Sequence, residues 1–410
     1  MKKNCSILMV IVFFSTGLCA QWLSKPAIPQ AQAGRGGANS FVLNNTLYVI
    51  GGYVGFTAGY TADMYAYNPS SSSWTTKTAP TEANRTAGIA GTVNNKAYVG
   101  LGSSYYLSLS PSPVYLTDLN EYDAVANTWT AKASFPDSGR VFAASFSLNN
   151  KIYVAGGSTK SGVSKQLWEY NPASNTWTQK ADMPIAFEAA TGFASSTKGY
   201  LVGGLNSTAI ATNKTYEYDP VANTWTTKAD MPVTATQGGT AFTIANNAYY
   251  VLGSDKDLGM SGSVFSKTVL MYSMNTNTWS TTTYQHPGDG RLWPVSGVIN
   301  NKAYIGCGYK YASGEFAYKD LYELTLAPSA VKDISTVNVP TVFPNPCKDE
   351  LYINSESELA VSLFNLQGEV VLSGISSKTK PLYLFDLTPG TYVLETIQGE
   401  YKNSQFIQKQ

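Results

Sequence analysis

Charge is scarce in this 410-residue sequence. Asp, Glu, Lys and Arg together make up 13% of it, against roughly 25% in ordinary globular chains. The formal net charge of +1 excludes the concentrated basic surface that nucleic acids demand. Histidine is nearly absent: His286 is the only one, so no site can be built on two imidazoles, and a Ser-His-Asp triad would have to use it. His286 precedes Pro287 where other stretches place Phe135, Met183 and Met231 before a proline, and is read as a packing residue. Cysteine is scarce as well. Cys5 and Cys19 fall in the leader described below, which leaves Cys307 and Cys347. That pair is too small for a disulfide framework or a four-Cys zinc site; two buried thiols are expected, with a single disulfide as the alternative. Long hydrophobic runs are missing too. The longest, Ile7 to Phe14, is too short for a bilayer core of ~30 Å. With Lys2 and Lys3 before it and Leu18-Cys19-Ala20 after it, it reads as a secretory signal over 1–20, cut before Gln21. No phosphate-binding glycine loop occurs, and Asp255-Lys256-Asp257-Leu258-Gly259 lacks the later acidic ligands of a calcium loop. No metal and no cofactor is expected.

What fills the sequence instead is Ser, Thr, Asn, Gly and 28 tyrosines, arranged in a repeat. Asn-Thr-Trp recurs at Asn127-Thr128-Trp129, Asn175-Thr176-Trp177, Asn223-Thr224-Trp225 and Asn277-Thr278-Trp279, with Trp74 in the same place after three serines. A Tyr and a turn precede each Trp: Tyr67-Asn68-Pro69, Tyr122-Asp123, Tyr170-Asn171-Pro172, Tyr218-Asp219-Pro220 and Tyr272-Ser273. Further upstream in each unit an apolar run ends in glycine, as in Tyr48-Val49-Ile50-Gly51-Gly52 and Tyr153-Val154-Ala155-Gly156-Gly157. Asn-Asn pairs such as Asn149-Asn150 supply tight hairpin turns. Four short strands in about 50 residues describe one propeller blade.

These motifs resemble the kelch repeat over 21–326, and the resemblance implies an all-β fold, a six-bladed β-propeller. The sixth unit, ending in Tyr322-Glu323-Leu324, has no Trp after it. Gln21-Trp22-Leu23-Ser24-Lys25-Pro26-Ala27-Ile28-Pro29 matches the outer strand of the third unit, so the N-terminal strand is expected to complete the last blade and remove a free edge. With the kelch resemblance in hand, the single histidine also excludes the copper-radical chemistry of some kelch propellers. Residues 327–339 read as a linker. The rest, 340–410, reads as a small C-terminal β-sandwich, and it resembles the type A C-terminal sorting domain of the type IX secretion system of Bacteroidetes, through Pro344-Asn345-Pro346, Phe364-Asn365-Leu366-Gln367-Gly368, Asp386-Leu387-Thr388-Pro389-Gly390-Thr391-Tyr392 and Phe406-Ile407-Gln408-Lys409. That resemblance implies export to the outer cell surface or beyond, with the secretion machinery as a partner of the tail.

The four arginines of the chain, Arg35, Arg85, Arg140 and Arg291, all stand just before the innermost strand of a unit. Glu188 is expected at this place in the fourth unit and Thr236 or Gln237 in the fifth. One reading gathers the arginines into a basic arc facing Glu188 across the channel mouth, and the other makes them braces between blades. Loops on the same face carry Tyr53, Phe56, Tyr60, Tyr105, Tyr106, Tyr115, Tyr309, Tyr311, Phe316 and Tyr318, suited to sugar or peptide contact. Three functions are therefore open. The first is a monomeric, secreted binding protein that recognises a glycan or a protein through this face, with Arg35, Arg85, Arg140, Arg291, Glu188, Tyr53, Tyr60, Tyr105, Tyr106, Tyr309 and Tyr311 as ligand contacts. The second is an enzyme on an acidic sugar, resembling sialic-acid mutarotases, with Glu188 as its catalytic candidate. The third is a purely structural surface protein.

Overall fold

The computed structural model describes the chain from Gln21 onward, apart from residues 30–33, 56–58, 82–83, 105–113, 234–235, 257–261, 313, 327–340, 367 and 399–400. The expected leader over 1–20 and linker over 327–339 lie outside the described residues, as do Phe56, Tyr105 and Tyr106. The chain divides into two compact units, 1–327 and 328–410. No helix among the described residues is long and apolar enough to cross a membrane.

The first unit holds six four-stranded antiparallel sheets. Blade 1 runs Asn39–Leu43, Thr46–Ile50, Met64–Asn68 and Ser73–Lys77, from the innermost strand to the outer one. Blades 2 to 5 repeat this plan from Ile89, Ala144, Thr191 and Thr240. Blade 6 takes Val295–Ile299, Lys302–Gly306 and Leu321–Thr325 from the end of the unit, and its outer strand, Gln21–Lys25, from the beginning. Trp22 faces Leu324 and Lys25 faces Leu321 in that pairing.

The repeat motifs now have physical reasons. Both residues of Asn44-Asn45, Asn94-Asn95, Asn149-Asn150 and Asn300-Asn301 have positive φ, as a two-residue hairpin turn needs. The Asn of Asn-Thr-Trp is also left-handed, and its side chain works twice. Asn175 accepts the Tyr170 hydroxyl in its own blade and the Ala133 N–H from the neighbouring one. Two residues on, the Trp177 indole donates to the Ala133 carbonyl at 2.9 Å. Tyr, Glu and Lys from the second, third and outer strands form a recurring cluster: Tyr98, Glu121 and Lys132 in blade 2, Tyr200, Glu217 and Lys228 in blade 4. In blade 6 the outer Lys is Lys25, 2.8 Å from Glu323, which also accepts the Tyr304 hydroxyl. The N-terminal strand thus carries the chemistry of an outer strand as well as its geometry.

Six apolar clusters lie between successive sheets, one at each junction. At the junction of blades 6 and 1, Leu47, Val49 and Tyr67 pack on Val295, Tyr304 and Leu321, and Ile28 of the N-terminal segment joins them. Each such side chain contributes roughly 1.5–3 kcal/mol when fully buried.

The second unit has a three-stranded sheet (Val342–Phe343, Glu350–Ile353, Leu382–Tyr383) and a four-stranded one (Leu359–Phe364, Val370–Ser376, Gly390–Gln398, Tyr401–Lys409). They share a core of Leu351, Leu363, Leu394 and Ile407. Asn345, between its two prolines, pins the last strand by donating to the Phe406 carbonyl and accepting the Gln408 N–H. Cys307 and Cys347 are both free and buried, one in each unit.

Candidate functional site at the channel mouth

The residue two before each innermost strand is left-handed in all six blades: Gly37, Ala87, Phe142, Ala189, Gly238 and Trp293, with φ between 52° and 63°. Their backbones form a closed circuit, because each N–H donates to the equivalent carbonyl of the preceding blade. Ala87 donates to Gly37 at 2.9 Å, Phe142 to Ala87 at 3.0 Å, Ala189 to Phe142 at 2.9 Å, Gly238 to Ala189 at 2.9 Å, Trp293 to Gly238 at 2.6 Å and Gly37 to Trp293 at 3.2 Å. A second circuit runs outside it. The last Gly of each second strand (Gly52, Gly102, Gly157, Gly204, Gly253, Gly308) donates to the carbonyl at the arginine position of the next blade, at 2.7–2.9 Å. These six have φ of 86–108°, and a Cβ on Gly253 would lie 2.8 Å from the Gln237 carbonyl. Glycine is therefore required there. The residue before tolerates Leu101, Leu252 and Cys307, because its φ of 53–67° is ordinary left-handed helix.

The inner circuit encloses a cavity of about 140 Å³, lined by one pair of residues from each blade. Four of the six blades present Gly or Ala there. Blades 3 and 6 present Phe142 and Trp293, whose rings stack at 5.0 Å. A left-handed bulky residue is strained and unusual, yet two face one another across the mouth. The Trp293 indole N–H is buried and meets no acceptor. Behind Trp293 the aromatic chain continues through Tyr309 (6.2 Å), Tyr53 (5.5 Å further on) and Tyr60 (5.7 Å). Tyr53 and Tyr309 are almost fully buried and act as supports; Tyr60 is half-buried, and Tyr311 is 46% exposed.

The arginines lie elsewhere than an arc at the mouth. All four are 0–1% exposed, held inside their own blades. Each donates to the carbonyl sixteen residues on: Arg35 to Gly51, Arg85 to Leu101, Arg140 to Gly156 and Arg291 to Cys307, at 3.0–3.1 Å. Each also pairs with an aspartate, respectively Asp63, Asp118, Asp137 and Asp320, at 2.6–2.8 Å. Aromatic rings cover three of them, with Tyr318 3.8 Å from Arg291 and Phe135 4.5 Å from Arg140. Burial lowers Arg140 to about 10, against the opposing pull of Asp137. The guanidinium fork satisfies strand-end carbonyls and an aspartate of its own blade, so each arginine ties one blade together instead of bracing two blades against each other, and a basic arc open to a ligand is not formed.

Glu188 lies one residue past the place expected of it. The left-handed register places Phe187, not Glu188, at the arginine position of blade 4, and Thr236 at that of blade 5. Glu188 stands one residue later, paired with Leu205, as Gly36 pairs with Tyr53 and Leu292 with Tyr309. Phe187 replaces the guanidinium with a ring packed 5.8 Å from Tyr216.

His286 is fully buried between Trp22 (5.2 Å) and Tyr322 (5.1 Å), in the packing role its place before Pro287 suggested. Burial first, and the Arg291 charge second, lower it to about 4. No group of three metal-binding side chains occurs among the described residues.

Residues 37–253 match the kelch-repeats domain described as KLHDC2/KLHL20/DRC7. Residues 341–410 match a secretion system C-terminal sorting domain. The solved structure of YjhT is similar with a TM-score of 0.60 at 18% identity, over 72% of this chain and 95% of that one; at this identity the likeness concerns the fold. No curated protein matches the sequence.

Proposed function

The chain belongs to the kelch-repeat family and ends in a secretion sorting domain, and from these premises we propose that it is an exported binding protein whose loop face recognises a glycan or a protein segment at the channel mouth. The observation that carries this reading is the Phe142–Trp293 stack. Two large aromatics occupy left-handed positions that four other blades fill with Gly or Ala, so the fold does not need them there. Strain of this kind costs about 1–3 kcal/mol per residue. It is retained where a flat apolar surface is useful, and the stacked rings supply one. Tyr60 joins the stack through Tyr53 and Tyr309, and Tyr311 is an exposed ring in the strand that starts at Tyr309. Sugar rings and peptide side chains both stack on such platforms, with the polar edge fixing orientation. The acidic-sugar alternative draws on the same face, but the arginines that would clamp a carboxylate are committed to Asp63, Asp118, Asp137 and Asp320.

The test is a glycan and peptide array probed with the full chain and with Phe142→Ala. Recognition of a defined ligand, weakened at least tenfold by Phe142→Ala, supports the reading. An array with no specific signal, or a signal indifferent to Phe142, removes it.

A further inference from the structure

A cavity of about 660 Å³ opens in blade 5 and shares no lining residue with the cavity at the channel mouth; its volume is within the roughly 300–1,000 Å³ typical of ligand sites. Its origin can be read by comparing blades in register. In blades 1, 2 and 6 the space between the first and third strands is filled by an Arg–Asp pair: Arg35 with Asp63, Arg85 with Asp118, Arg291 with Asp320. Strand pairing puts Thr236 and Thr268 at those two places in blade 5. Both members of the brace are missing together, and both threonines line the cavity. A third exchange accompanies them. The inward position of the second strand holds Val49, Val99, Val154, Leu201 and Ile305 in the other blades, but Tyr250 here. Its buried hydroxyl bonds Thr236 Oγ1 at 3.0 Å and accepts the Gly239 N–H at 3.1 Å.

The same register that makes a filled, charged brace elsewhere therefore makes an open, hydroxyl-lined pocket here. Besides Thr236, Thr268 and Tyr250, its wall includes Ser266 and the flat ring of Phe265. One acid and one base, Asp255 and Lys267, also line it, so its formal charge is balanced. Donors and acceptors are numerous, charge is neutral, and an aromatic face is present. From this we infer that blade 5 carries a second binding site, for one neutral pyranose-sized sugar. The inference is independent of the aromatic pair at the channel mouth.

The experiment is saturation-transfer NMR on the full chain with D-glucose, D-galactose and D-mannose, and with D-glucuronate as the charged control. Two variants close the pocket. Thr236→Arg with Tyr250→Val and Thr268→Asp rebuilds the brace as blades 1 and 2 have it. Ser266→Phe fills the pocket from its wall with one change, so it decides the question if the triple variant melts early. The expected result is transfer to at least one neutral hexose, stronger than to D-glucuronate and reduced at least tenfold in the closed-pocket protein. Absence of transfer to every neutral hexose overturns the inference, as does transfer that survives Ser266→Phe. If surviving transfer disappears in Trp293→Gly, the sugar sits at the channel mouth; the pocket inference then fails while the proposed function stands.

Discussion

At the scale of single residues, the arginine position separates structure from function. A guanidinium at this place satisfies a strand-end carbonyl that left-handed turns leave facing inward, and one carboxylate neutralises it. Truncating Arg85 to Met takes the cation from Asp118, which keeps the Asn120 amide as a donor, and takes the guanidinium donor from the Leu101 carbonyl. Breaking a buried pair from one side costs about 3–5 kcal/mol; Asp118 keeps some contact with water, so about 2–3 kcal/mol is expected here, read as a lower melting temperature with ligand affinity unchanged. A loss of affinity at constant stability would return Arg85 to the binding site. The four arginines were visible in the sequence as a positional series, but their burial was not. Glu188 misled because charge drew attention to it, whereas backbone register assigns the place to Phe187, which fills the gap by volume rather than by charge. Phe142 and Trp293 each stand two residues after an arginine, where the other blades have Gly or Ala at the equivalent place. The anomaly shows only once the repeats are aligned on backbone conformation. The blade 5 pocket was hidden for the same reason, since it depends on three exchanges far apart in sequence.

At the scale of elements, the strand Gln21–Lys25 is the one that closes the ring, and its place in blade 6 was legible because Trp22 and Lys25 repeat the spacing of Trp177 and Lys180. Removing 21–29 strips an outer strand, the Lys25–Glu323 pair and Ile28 from the first junction. The melting temperature should fall sharply; an unchanged value would show that the strand is dispensable. This blade is also where acid should act first. His286 is held at about 4, below its ordinary 6.5, so the folded state binds fewer protons than the unfolded chain as pH falls. Its contribution is complete above pH 6.5 and is lost between 6.5 and 4, by about 3 kcal/mol in all. Burial pushes Glu323 up, but the bonds from Lys25, Lys302 and Tyr304 outweigh it and bring the carboxyl down to about 2. Its contribution, complete above its ordinary 4.5, is lost as pH falls from there toward 2. His286→Met, the residue of blades 3 and 4 at this place, should flatten the decline between pH 6.5 and 4 and leave the lower one. Parallel declines in both proteins would contradict the assignment to His286.

At the scale of the whole molecule, a ring of six blades is followed by a sorting domain over 341–410, and the proposed function assigns recognition to the ring. In a host with the matching secretion system, a chain ending before residue 341 should fold and accumulate in the periplasm, and fractionation with an antibody against the propeller would show it; secretion at normal levels would separate the tail from export. The all-β class, the repeat and the tail were legible because each rests on local turn chemistry and strand alternation. The face of the proposed site was not, because it is assembled from six loops some 50 residues apart. The central claim is that the channel mouth keeps a strained aromatic pair for its ligand rather than for its fold. The measurement that tests it most directly is melting temperature and array-ligand affinity on Trp293→Gly. Glycine relieves the left-handed strain and removes the platform, so the account predicts an equal or higher melting temperature with affinity reduced at least tenfold. A lower melting temperature with affinity intact would contradict it and make Trp293 a structural plug.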